Sequence, residues 1–110
     1  MDLKKIIEEQ HEFSSSHFGT WVPETKEQQI EKLKFGTIAL TGEVGEFANV
    51  LKKVLREPAK FDEKLAHMRE EIADIFIYIM LLSVTLKMDL EAECKKKLEF
   101  NKERFKDFKA

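Results

Sequence analysis

Residues 70–82 read EEIADIFIYIMLL. The first five carry three carboxylates, of which Glu71 and Asp74 lie three positions apart. The last eight, Ile75 to Leu82, are apolar or aromatic without interruption. No alternation of β-branched residues between tight turns marks this region as strand. The segment is predicted to be a helix running from near Asp62, a good N-cap residue, to about Leu86. A helix that is apolar all the way round must be covered on every side. A chain of 110 residues has little with which to cover it. The sequence therefore predicts a homodimer or homotetramer joined through this helix.

The rest of the chain reads as three more helices. The first covers about residues 2–13 and is expected to stop at Ser14-Ser15-Ser16, followed by a loop with His17, Phe18, Gly19, Trp21 and Pro23. The second starts near Thr25, where Thr25 and Gln28 fit a capping box. It runs to about Glu57, because Pro58 disfavours helix at the residue before it. Its apolar seam is Leu33, Gly36, Leu40, Val44, Phe47, Leu51 and Val54, at steps of three or four. Asp89 is a plausible N-cap for the fourth. The predicted fold class is all-α: a four-helix, bundle-like protomer forming one domain over residues 1–110.

Composition excludes several classes of function. Apolar residues make up 43% and charged residues 36%, a globular and not a disordered balance. The net charge of −2 gives no basic excess with which to hold a nucleic-acid polymer or an anionic membrane. The longest apolar stretch, Ile75 to Leu86, is broken by Tyr78, Ser83 and Thr85 and falls short of the roughly 20 residues of a membrane span. The opening MDLKKIIEEQ has no signal-peptide core, so a cytoplasmic location is expected. The lone Cys94 has no partner for a disulfide or a zinc site, and reads as an incidental thiol.

The pair Glu71 and Asp74 has a counterpart. Residues 42–47 read GEVGEF, with Glu43 and Glu46 three apart on the predicted second helix. Helical geometry turns Glu43 toward the apolar side, between Val50 and Val54, and puts Glu46 at its edge. Glu71 and Asp74 point in the directions of Tyr78, Leu81 and Leu82. If the two helices are antiparallel neighbours, all four carboxylates can converge. Left uncompensated, such a cluster would lose hydration and repel itself. A hard divalent cation, Mg²⁺ or Mn²⁺, resolves this, because all-oxygen ligands suit such ions. Gly42 and Gly45 flank the first pair and either permit close helix packing or leave room beside the carboxylates. An isolated E-x-x-E is usually a solvated helix face; two such pairs on the apolar sides of consecutive helices are less ordinary.

Together these residues resemble the MazG-type all-α nucleotide pyrophosphohydrolases. The family signature is E-x-x-E, an intervening segment, then E-x-x-D, which here falls on Glu43, Glu46, Glu71 and Asp74. KLEFNKERF resembles the family's K-x-x-x-N-x-x-R segment, with Lys97, Asn101 and Arg104 matching. The resemblance runs from about Trp21 to Phe105. It implies Mg²⁺-dependent cleavage of a nucleoside triphosphate between the α and β phosphates, and a role in removing unwanted nucleotides. It makes the four carboxylates metal ligands and a glutamate of the first pair, Glu43 or Glu46, the acceptor of the water proton. It also implies that Lys97, Asn101 and Arg104 hold phosphates. Lys53 lies seven residues after Glu46 on the same side of its helix and is a further phosphate candidate. Trp21, Phe18 and Phe13 offer surfaces on which a base can stack, although a lone tryptophan is also a packing anchor.

Three other readings compete. A di-iron carboxylate bundle needs two E-x-x-H motifs; Glu8 and His11 supply one, and His67 does not complete a second. A non-catalytic helical interaction module would use the apolar third helix as its interface. A relative within the superfamily would act on dUTP or phosphoribosyl-ATP, for which the sequence gives no selector.

Overall fold

The computed structural model describes residues 2–110. It contains α1 (Leu3–Phe18), α2 (Lys26–Arg56), a short 3-10 turn (Pro58–Lys60), α3 (Phe61–Thr85) and α4 (Leu90–Arg104), with no strand among the described residues. The described residues are all-α, with four helices. No helix among these residues is long and apolar enough to cross a membrane.

The α2–α3 hairpin is the spine. Pro58 breaks α2, and the 3-10 turn reverses the chain, with the Lys60 N–H donating to the Glu57 carbonyl at 2.9 Å. The helices then run antiparallel: the Gln29 side chain meets Thr85, Gly36 meets Leu82, and Val50 packs with Met68. Val50, Val54 and Met68 are buried beside Phe47, Leu51 and Leu65. This core lies at the hairpin's turn end and locks the register of the two helices. The predicted α2 seam holds except at Val44, which is 47% exposed. Gly36 is required further along. A Cβ there would lie 2.6 Å from Leu82 Cδ2 and 2.9 Å from Trp21 Cζ3, so only glycine lets the helix and the loop approach this closely.

The caps at Thr25 and Asp89 form as the sequence predicts, accepting from the backbone N–H groups of Gln28 and Ala92. Two boundaries differ. The serine run does not end α1. Ser14 accepts from the Gln10 side chain, the Ser15 hydroxyl pairs with His11, and Ser16 donates to the Phe13 carbonyl, so each hydroxyl is satisfied within the helix. The helix stops at Gly19, whose φ of 99° suits glycine. Asp62 is not the N-cap of α3 but lies in its first turn, because the 3-10 turn leads straight into the helix.

α1 packs on α3, and α4 packs chiefly on α1. No residue of α4 is buried, and Leu98, Phe100, Phe105 and Phe108 in and after it are half or more exposed or close to it. The radius of gyration is 17.2 Å, against about 13 Å for a compact domain of this length. The fourth helix therefore does not close a bundle with the other three within one protomer.

Candidate functional site

Because α2 and α3 are antiparallel, their two acidic pairs face each other. One carboxylate oxygen from each of Glu43, Glu46 and Glu71 lies within 4.8 Å of the other two. Asp74, one helical turn beyond Glu71, stands outside this triad but close enough to act on Glu43 electrostatically. Glu71 is 6% exposed, Glu43 is partly buried, and Glu46 is exposed. The cluster thus grades from solvent into the protein.

Charge and desolvation are uncompensated here. The Oε2 atoms of Glu43 and Glu71 are buried without a hydrogen-bond partner. The Glu43 carboxyl titrates above the ordinary range, first because burial disfavours its charged form. The charges of Glu46 and Asp74, hydrogen bonding to Glu71, and the Glu71 charge all push the same way. His67 Nε2 lies 3.0 Å from Glu71 Oε1 and satisfies that oxygen alone. Orphaned, convergent carboxylate oxygens fit a hard divalent cation, and Glu43, Glu46 and Glu71 are the residues that could hold one.

Two openings border the carboxylates. Glu43 and Asp74 line a cleft of about 750 Å³ whose walls include Trp21, Phe35 and Tyr78, with Phe18 at the margin. The rings of Phe35 and Tyr78 stand 6.0 and 6.4 Å from that of Trp21, the second edge-on. Glu46 and Glu71 line a smaller hollow of about 210 Å³, shared with Asn49, Lys53 and His67. Apolar stacking surface therefore lies on one side of the acidic cluster, and a cation on the other.

Each sequence candidate can now be placed. Lys53 reaches the hollow beside Glu46 and Glu71. Trp21 and Phe18 border the large cleft, as does Phe13. Trp21 is only 8% exposed and packs beside Gly36, so it anchors its loop as well as lining the cleft. Phe18 is 83% exposed. Lys97, Asn101 and Arg104 line neither opening; Lys97 sits over the Phe100 ring and Arg104 over the Phe105 ring. Gly42 and Gly45 have open space where a Cβ would point, so they serve no close packing inside the protomer.

Several residues at the site carried little or no sequence signal. Phe35 became a cleft wall only through the rotation of α2 against the loop. Tyr78 had a usable signal, since it lies four residues after Asp74. So did His67, four residues before Glu71. His11 is the least expected: its Nε2 accepts the Trp21 N–H at 3.1 Å.

The family model of the MazG nucleotide pyrophosphohydrolase domain matches residues 29–107. The match covers α2 from its first turn, α3 and α4, and therefore both acidic pairs. The chain belongs to the MazG nucleotide pyrophosphohydrolase family. No curated protein and no solved structure matches it.

Proposed function

We propose that this protein hydrolyses nucleoside triphosphates between the α and β phosphates, releasing the nucleoside monophosphate and pyrophosphate, with Mg²⁺ as cofactor and Mn²⁺ as its substitute. One observation carries the reading: an acidic cluster with orphaned oxygens sits between an aromatic-walled cleft and a hollow containing a lysine. A nucleoside fits the first opening and a polyphosphate the second, with the scissile bond over the carboxylates.

The chain's own groups divide the work. Trp21, Phe35 and Tyr78 offer ring surface to the base. Glu43, Glu46 and Glu71 would hold the cation, with Asp74 beside them. When bound, the cation supplies neutralising charge to the phosphates and lowers the pKa of a coordinated water. Glu43 or Glu46 takes the proton of the attacking water. Lys53 offers its ammonium to the departing pyrophosphate.

The assembly is a homodimer or homotetramer. Ile72 and Phe76 on α3 are 52% and 39% exposed, just before and within the Ile75–Leu82 stretch that is apolar on all sides. The outlying α4 leaves its own apolar residues open to water. A second copy would cover both. Lys97, Asn101 and Arg104 lie on this helix, and we propose that they reach the triphosphate in the assembled protein. The biological role is the removal of unwanted nucleotides in the cytoplasm.

The test is a product assay. The purified protein is incubated with canonical and modified nucleoside triphosphates, dUTP and phosphoribosyl-ATP, with Mg²⁺ or with chelator, and products are separated by chromatography. Monophosphate and pyrophosphate formed only with metal support the proposal and rank the substrates. A folded protein that turns over none of them is instead a helical interaction module.

A further inference from the structure

Trp21 is the sole tryptophan of the chain, and both polar groups of its backbone are bonded by side chains from other elements. His11 Nε2, on α1, accepts its N–H at 3.1 Å. Thr85 Oγ1, at the end of α3, donates to its carbonyl at 2.7 Å. Thr85 is wholly buried, and its own carbonyl accepts from the Gln29 side chain of α2 at 2.9 Å. The preceding residue is held as well: Lys32 Nζ donates to the Thr20 carbonyl at 2.8 Å. Ser15 Oγ lies 3.0 Å from the same Nε2 and shares that acceptor with the Trp21 N–H. A connecting loop ordinarily turns its peptide groups to water. Here three helices hold two consecutive residues by side-chain bonds.

The clamp has a definite consequence. It seats the indole on Gly36 and Leu82 and between Phe35 and Tyr78, so that one ring forms a wall of the cleft that Glu43 and Asp74 also line. Neither Thr85 nor His11 lines that cleft. An accepting Nε2 is unprotonated, so the clamp uses the neutral imidazole with its hydrogen on Nδ1.

We infer that His11 and Thr85 are positioning residues, which fix the backbone of Trp21 and so set the width of the base-binding cleft. The inference rests on the proposed nucleotide reading. A residue acting in this way changes substrate capture more than the chemical step.

The test compares His11→Ala, His11→Gln, Thr85→Val and Thr85→Ser. Emission of the single tryptophan and its quenching by acrylamide are recorded first, without nucleotide. KM and kcat are then measured on the triphosphate that the parent protein turns over fastest. His11→Ala and Thr85→Val are expected to red-shift the emission and raise quenching. They should raise KM about tenfold, the size of one lost hydrogen bond, with kcat little changed. Glutamine places an amide oxygen near the position of Nε2, and serine keeps the hydroxyl, so both should restore the parent values. Unchanged fluorescence in His11→Ala overturns the clamp. Altered fluorescence with unchanged KM overturns the positioning role. If Thr85→Val does not fold, the alanine and glutamine variants of His11 decide alone. A parent protein without turnover sinks the proposed activity and the positioning role with it, while the fluorescence still shows whether the clamp exists.

Discussion

Replacing Gly36 by alanine sets two opposed effects against each other, and the structure decides which wins. Alanine is better than glycine in a helix interior by about 1 kcal/mol. The added Cβ, however, would meet Leu82 Cδ2 at 2.6 Å and Cγ at 3.2 Å, and Trp21 Cζ3 at 2.9 Å. Leu82 can turn its terminal methyl away. The indole cannot move as easily, because its backbone is bonded at both ends and its ring lies between Phe35 and Tyr78. Overpacking of this kind costs about 1–3 kcal/mol, and the rigid partner places it in the upper half of that range. The net result is a loss of about 1–2 kcal/mol, or roughly 4–8 °C in melting temperature for a chain of this size. The control is Gly45→Ala, the same change in the same helix at a position where the Cβ meets nothing. It should gain up to about 1 kcal/mol. Both variants are melted beside the parent by circular dichroism at fixed protein concentration. A Gly36→Ala protein as stable as Gly45→Ala would refute the claim that loop and helix are in rigid contact.

Other expectations follow from the same site. Glu43→Gln and Asp74→Asn should each abolish Mg²⁺-dependent turnover while leaving the helical circular dichroism intact; full activity in both would remove the acidic cluster from the mechanism. Because the folded pKa of Glu43 is raised, its contribution to the stability of the metal-free protein is fully present below the ordinary value of 4.5 and is lost as pH rises through the folded pKa. Mg²⁺ should therefore raise the melting temperature more at pH 7.5 than at pH 5, and equal increments in a pH-melting series would contradict the assignment. In the metal-free state at neutral pH, Glu43→Gln should melt above the parent, since an amide in that place carries no charge to desolvate. Lys53→Ala should raise KM for triphosphates about tenfold, from the loss of one charge-assisted contact to phosphate, and leave the metal-dependent rise in melting temperature unchanged.

Local chemistry was legible in the sequence and the rotation of one element against another was not. Thr25 and Asp89 cap their helices because an N-cap needs only a side-chain oxygen and the next turn of backbone. The serines after Phe13 misled for an equally local reason: Ser, unlike Pro, can be satisfied inside a helix by the preceding turn. Spacing of three put Glu43 with Glu46, and Glu71 with Asp74, on single helix faces. Which three of the four would lie closest depended on the register of α2 against α3. That register is set about one turn away, toward the hairpin's turn, by Val50, Val54 and Met68. The cleft walls depended on three elements at once. Phe35 has the same spacing signal as any exposed phenylalanine, and His11 lies ten residues from the amide it accepts from.

Gly42 and Gly45 remain the sharpest clue to what lies outside a single protomer. Each lies inside α2, where glycine is worse than alanine by about 1 kcal/mol. Gly36 in the same helix shows what a packing glycine looks like, with two neighbours inside 3 Å of its missing Cβ. The other two have none, so no contact within the chain explains them. They flank Glu43 and lie on either side of Val44, itself half-exposed. Two proposed occupants would account for their small size, the triphosphate over the carboxylates and the surface of a second copy. Gly42→Ala separates these. If the substrate fills the space, the variant should gain stability, keep its assembly state in light scattering, and lose affinity for triphosphate. If a second copy fills it, the variant should dissociate at concentrations where the parent does not. A variant with more stability and unchanged KM and assembly would leave the space without an occupant and refute both.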